Sequence, residues 1–130
     1  TVWDALAGFP GIGTLLPLML SEGVNKNKIT ISQLVNLTSM NAAKIFGMYP
    51  IKGSLELNSD ADITLIDLKK EQKVTSDLFG GFSDYIVYDG WKLKGWPVKT
   101  IVRGQTIAED FQVIGKPGYG KLVSRKTNST

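Results

Sequence analysis

The sequence predicts an α+β chain in which helices come first and strands follow. Three observations carry this. Thr30-Ile31-Ser32-Gln33 is a capping box, the signature of a helix start. Ile63-Thr64-Leu65-Ile66-Asp67-Leu68 is β-branched and largely apolar, as in a buried strand. Residues 99–108 read as two strands joined at Gly104-Gln105, with Gly104 supplying a positive φ. That order looks like the end of a helical or α/β domain running into a small β domain.

The elements follow in order. Ala7-Gly8-Phe9-Pro10-Gly11-Ile12-Gly13 is a turn-rich loop. Thr14 can cap a helix over 14–22, with Pro17 tolerable in its first turn and Gly23 as its stop. The capping box opens a second helix over 32–37, striped by Ile31, Leu34, Val35 and Leu37. Ser39 can cap a third over 40–46, closed by Gly47. Strands are expected at 63–68 and 98–107, with a short one in Phe111-Gln112-Val113-Ile114. Between the strand zones, residues 79–96 form an aromatic loop holding Phe79, Phe82, Tyr85, Tyr88, Trp91 and Trp96. The predicted organisation is 1–48, 49–115 and a basic tail 116–130, with 126–130 expected to be disordered.

Composition narrows the chemistry. With 130 residues, 42% hydrophobic and 21% charged, the chain is one soluble globular domain or a piece of one. It has no Cys, which excludes disulfides and thiol catalysis. It has no His, which excludes a Ser-His-Asp triad and a His-based zinc site. Net charge is +3, yet the tail alone holds Lys116, Lys121, Arg125 and Lys126 and no acid, so the first 115 residues sum to −1. A basic tail is not a basic face, and no nucleic-acid partner is expected. No apolar run reaches the length of a membrane span, and no signal peptide is evident. The chain opens at Thr1 without Met, which fits processing or a piece of something longer.

Several motifs invite a chemical reading, and each has a plainer one. Residues 115–121, Gly-Lys-Pro-Gly-Tyr-Gly-Lys, match the first seven positions of a P-loop. Leu122 then stands where a Ser or Thr would hold magnesium, so a Gly-rich linker is the better reading. Gly11-Ile12-Gly13 lacks the third Gly of a dinucleotide fingerprint and reads as a turn into a helix. Asp60-Ala61-Asp62 places two carboxylates on one face of an extended segment, a pattern that serves acid/base work or a hard cation. The plainer reading is a turn in which Asp60 bonds backbone amides and Asn58 adopts the left-handed conformation. The aromatic loop with Lys92, Lys94 and Lys99 could stack nucleic-acid bases, but Asp84 and Asp89 oppose phosphate and packing beneath a long loop is favoured.

Beyond single motifs, a run of segments has a familiar order: Gly8-Phe9-Pro10-Gly11-Ile12, Leu15-Leu16-Pro17-Leu18, Asn41-Ala42-Ala43-Lys44-Ile45-Phe46-Gly47, Lys52-Gly53-Ser54-Leu55, Ser59-Asp60-Ala61-Asp62, Lys99-Thr100-Ile101-Val102-Arg103-Gly104 and Pro117-Gly118-Tyr119-Gly120. From about residue 3 to 123 the chain closely resembles the C-terminal part of the cyclic amidohydrolases: dihydroorotase, allantoinase and hydantoinase. The resemblance implies an α+β fragment: the last helices of a metal-dependent TIM barrel, followed by the C-terminal part of a small β-sandwich. It implies that the parent protein opens a cyclic amide, with water activated by the metal, expected to be zinc, and an Asp moving protons to the leaving nitrogen. The metal ligands and that Asp would lie upstream of the Gly-Phe-Pro-Gly turn, so this fragment alone is expected to hold no cofactor and to be inactive.

The same resemblance assigns the substrate-lining loop to Ala5-Leu6-Ala7-Gly8, with Ala7 and Gly8 as the substrate-binding residues. Hydantoinases carry Asn where this chain has Ala7, which ranks dihydroorotase first, allantoinase nearly equal and hydantoinase behind. Leu6 replaces a usual Pro, and Gly13 stands where the family usually has Glu. The implied partners are a small cyclic amide, the rest of the parent chain and further copies in a homo-oligomer, in the cytoplasm, in pyrimidine biosynthesis or purine catabolism. Without the family's N-terminal strands, 63–68 and 98–103 are expected to be unpaired edges. The alternative parent is a metal-free relative acting as an assembly scaffold.

Overall fold

The computed structural model describes residues 10–80 and 85–125. The substrate-loop assignment to Ala7 and Gly8, the placement of Phe82 and Asp84, and the expectation for 126–130 lie outside the described residues.

The first helical segment starts earlier and runs further than its sequence signals suggest. Helix α1 spans Ile12–Leu18 and continues without a break into a π-helical turn, Met19–Val24. Thr14 is not the cap. Gly11 holds that place without a side-chain bond, and the Thr14 hydroxyl donates back to the Gly11 carbonyl at 3.0 Å. Pro17 therefore sits mid-helix, where it lacks the N–H of the i→i−4 ladder, and the wider π winding follows it. Gly23 does not stop the helix, because Asn25 does so two residues later. Its backbone N–H bonds the Leu20 carbonyl at 2.8 Å, and its side chain donates to Leu20 and across to the Lys94 carbonyl.

The capping box forms as read. Gln33 N–H donates to Thr30 Oγ1 at 3.1 Å and Thr30 N–H to Gln33 Oε1 at 2.8 Å. Helix α2 spans Ile31–Val35, a second π turn spans Asn36–Met40, and α3 spans Asn41–Ile45. These are one continuous stretch, not two helices. Asn36, Met40 and Asn41 all stay right-handed helical, so Ser39 has no helix start to cap. The Thr38 hydroxyl instead folds back onto the Leu34 carbonyl at 2.9 Å. Gly47, at φ +67, ends the stretch as expected.

Four antiparallel strands follow in the order β1-β2-β3-β4: Ile63–Lys73, Lys92–Val102, Gln105–Glu109 and Gln112–Val113. The β2–β3 turn sits one residue earlier than the sequence suggests. Its centre is Arg103-Gly104, at φ +45 and +80, between the paired Val102 and Gln105. A two-residue turn with both centres at positive φ matches strand twist, and Gly104 spares the second position any steric cost. Asp110-Phe111, at φ +42 and +65, repeats the geometry between β3 and β4.

Two strand expectations need correcting. β1 is not buried: among the described residues it pairs only with β2, and Leu65, Ile66 and Leu68 are 45%, 37% and 41% exposed. β2 is no edge, since β1 lies on one side of it and β3 on the other.

The aromatic segment builds a core. Val74, Ile86, Leu93 and Trp96 are buried together, with Leu18, Leu78, Phe79, Tyr88 and Phe111 packed on them. Trp96 lies within β2, is fully buried, and donates its indole N–H to the Leu93 carbonyl at 2.8 Å. Phe79 stacks on it at 6.3 Å and Phe111 meets it edge-on at 5.5 Å. Each such pair adds about 0.5–1.5 kcal/mol beyond the area it buries.

Candidate functional site

The paired carboxylates of Asp60-Ala61-Asp62 are the first place to look for chemistry, and the structure gives them a partner. Lys52 Nζ bonds Asp60 Oδ2 at 2.8 Å and also Asp62 Oδ2. The other oxygen, Asp62 Oδ1, accepts the Arg103 backbone N–H at 2.8 Å. The Ala61 carbonyl accepts the Gly104 N–H at 3.0 Å. Partial burial pushes the Asp62 carboxyl up, but Lys52, the Arg103 amide and both cations outweigh it and hold it below its ordinary value. Burial likewise pulls Lys52 down, and the two carboxylates more than reverse it, raising the amine. A carboxylate committed to an ammonium and an amide is poorly placed to carry protons. The cluster instead anchors the residue-50s loop to the β2–β3 turn.

Local geometry explains why Lys52 reaches both acids. Gly53 has φ +77, and a Cβ there would stand 2.6 Å from the Ala43 Cβ, so only glycine lets the loop close against α3. Asn58 is left-handed at φ +72, as its sequence context suggests. The turn reading is right about the site and wrong about the residue: Asp62, not Asp60, accepts the backbone amide.

Sequence reasoning missed the extension of this anchor. The Arg103 guanidinium lies 4.3 Å from the Tyr119 ring centroid and donates to the Tyr119 carbonyl. The Tyr119 hydroxyl donates to the Val102 carbonyl at 3.1 Å. The available signal was the pair of quoted segments, residues 99–104 and 117–120, which the fold brings into contact. That contact also disposes of the P-loop reading. No helix follows Lys121 among the described residues, and Tyr119 is bound to the sheet.

The donor set does not fit a catalytic metal. Among the described residues no three of His, Cys, Asp or Glu cluster closely enough to hold a metal ion, and the whole chain lacks His and Cys. One shallow cleft of about 210 Å³ lies beside the start of α1, lined by Gly13, Phe79, Val98, Thr100, Ala108 and Phe111 among others. No helix among the described residues is long and apolar enough to cross a membrane.

Comparison with known proteins decides the family. The model of the Amidohydrolase family matches residues 12–107. The chain belongs to the amidohydrolase family. It is 41% identical to the L-hydantoinase of Paenarthrobacter aurescens over 125 residues, which are 96% of this chain and 27% of that protein. It is 38% identical to the dihydroorotase of Pyrococcus furiosus over 119 residues, 92% of this chain and 28% of that protein. The solved L-hydantoinase (dihydropyrimidinase) from Arthrobacter aurescens matches it with a TM-score of 0.90 at 41% identity, covering 95% of this chain and 28% of that one.

This amidohydrolase chain thus spans about a quarter of the length of the curated relatives it matches. The cyclic amidohydrolase resemblance holds. The ranking within it does not gain support: hydantoinases predominate among the relatives, although Ala7 had placed them last.

Proposed function

We propose that this chain is the C-terminal quarter of a metal-dependent cyclic amidohydrolase of the hydantoinase and dihydroorotase type. One observation carries the reading: 41% identity to an L-hydantoinase is sustained across 95% of the chain in the same three-dimensional arrangement, at a TM-score of 0.90. On this reading residues 1–48 close a barrel, 49–115 belong to the accompanying β-sandwich, and 116–130 are a basic tail. The zinc ligands and the proton-carrying Asp lie upstream. Ala7 and Gly8 line the substrate pocket, where small residues let backbone groups approach a flat ring. The protein works in the cytoplasm as a homo-oligomer.

The first substrate is a hydantoin-type ring, in keeping with the predominance of hydantoinases among the relatives. Dihydroorotate is the second reading, favoured by Ala7 at the position where hydantoinases carry Asn and by the dihydroorotase relative. The test is the complete polypeptide loaded with zinc and assayed for ring opening of hydantoin, dihydrouracil, dihydroorotate and allantoin. Turnover of hydantoin or dihydroorotate supports the proposal, and the preferred ring chooses between the readings. A complete polypeptide without a His-x-His pair and without turnover on all four would instead be the non-catalytic assembly relative.

A further inference from the structure

We propose that residues 114–119 form a strap that opens as a unit, latched by the Arg103 side chain, so that one contact decides whether the basic segment after it is held on the sheet or released. The strap is fastened at two places. At its start, the Ile114 and Gly115 N–H groups both donate to the Ile107 carbonyl, each at 2.9 Å. At its end, the Tyr119 hydroxyl donates to the Val102 carbonyl at 3.1 Å. There the Arg103 guanidinium also lies 4.3 Å from the Tyr119 ring centroid and donates to the Tyr119 carbonyl. Between the two, Lys116, Pro117 and Gly118 are exposed, and the bond that spans them, from Tyr119 N–H to the Lys116 carbonyl at 3.4 Å, is internal to the strap. Past Tyr119, residues 120–125 make no hydrogen bond or ion pair among the described residues. Lys116, Lys121 and Arg125 therefore depend on the Tyr119 contact for their place.

Arg103 is an unusual residue for its position. It stands at φ +45 at the first centre of the β2–β3 turn, where glycine carries no steric cost. The turn itself uses only the Arg103 backbone, whose N–H donates to Asp62 Oδ1 at 2.8 Å. The hydrogen bond and the ring contact of the side chain both go to Tyr119. A long side chain held at conformational cost and bonded to the strap points to a latch and not to turn chemistry. Lys52, Asp60 and Asp62 keep the turn in place through that backbone bond, so the strap can leave without taking the turn with it. Segments with few contacts and exposed backbone open at low free energy while the core stays folded.

The experiment is chymotrypsin cleavage after Tyr119 in the complete, folded polypeptide, mapped by mass spectrometry. Each rate is divided by that of the matching free peptide of residues 114–125, so that it reads the open fraction of the strap. Arg103→Gly keeps the backbone N–H and relieves the positive φ, so the melting temperature should stay within about 3 °C. Without the charged donor and the ring contact, cleavage should rise at least about tenfold. Tyr119→Phe loses only the hydroxyl bond and should raise cleavage about threefold. A contact that merely stabilises the whole fold would raise cleavage only in step with a falling melting temperature, and that result overturns the inference. Unchanged cleavage in both variants overturns it as well. If Arg103→Gly does not fold, Tyr119→Phe decides by the same two readouts. Neither result touches the proposed hydrolase activity, which is assayed separately.

Discussion

Gly95 and Leu20 meet where the first helical segment crosses β2: a Cβ added to Gly95 would lie 2.9 Å from the Leu20 Cβ. Gly95 also has φ +95, a conformation that side-chain-bearing residues rarely adopt. Helix and sheet can touch only because this strand position has no side chain. Asn25 then ties the two together through the Lys94 carbonyl at 2.8 Å.

Gly95→Ala should therefore destabilise the chain by about 2–4 kcal/mol, from backbone strain and overpacking together. Denaturant unfolding monitored by tryptophan fluorescence measures it. A loss below half a kcal/mol would mean that the helix does not sit on β2 this closely.

Trp96 is the centre of the packed rings and its indole is hydrogen-bonded. Trp96→Phe keeps most of the apolar surface but removes the indole donor to the Leu93 carbonyl and underfills the site, at a cost of about 1–3 kcal/mol. Trp96→Ala adds a cavity and should cost about 3–5 kcal/mol. Equal losses in the two variants, by thermal and chemical melts, would contradict the role given to ring packing.

The Lys52 anchor has a pH signature at both ends. The Asp62 carboxyl is held below its ordinary 3.8, so its contribution is full above that value and is lost as pH falls through the lower folded value. Lys52 is raised above 10.5, so its contribution is full below that value and is lost as pH rises through the higher folded value. Lys52→Met should cost about 1–2 kcal/mol at neutral pH, discounted for partial solvent screening, and flatten the alkaline limb. Asp62→Asn should flatten the acid limb. Unfolding free energies measured across both limbs test this, and unchanged slopes would remove the anchor from the account.

The isolated chain should self-associate. Among the described residues β1 has no strand on its outer side and exposes Leu65, Ile66 and Leu68, and Ile12, Leu57 and Ile45 are exposed elsewhere. Sedimentation at several concentrations should show mass rising with concentration. A sharp monomer at all concentrations would show that these surfaces are tolerated in water.

Purified alone, the chain should carry no stoichiometric zinc or manganese and turn over no cyclic amide, since it has neither His nor Cys to complete a ligand set. Elemental analysis with assays on hydantoin, dihydroorotate and allantoin checks both. Bound metal with turnover would relocate the catalytic centre into these 130 residues.

Local signals were legible wherever a residue acts on its own neighbours. The Thr30–Gln33 box, the Gly47 stop, the left-handed Asn58 and the hairpin near Gly104 are decided within a few residues, by backbone donors and by φ. The boundaries that depend on more than one turn were not legible. Thr14 and Ser39 can cap a helix, but nothing local says that the helix has already begun or does not end there. The substrate loop assigned to Ala7 and Gly8 was readable only through resemblance.

The sequence by itself determined the order of elements, the absence of His and Cys chemistry, and the family. Tertiary structure decided what no spacing encodes. Among the described residues it placed β2 between two strands while leaving β1 at the edge, so Leu65, Ile66 and Leu68, which read as a buried run, are exposed. It turned an aromatic loop into a core, and it turned two candidate catalytic acids into an anchor by bringing Lys52 and the Arg103 amide to them. The physical reason is range. Capping and turn chemistry act over three or four residues, whereas burial and ion pairing depend on neighbours that lie 10 and 41 residues away for Asp62.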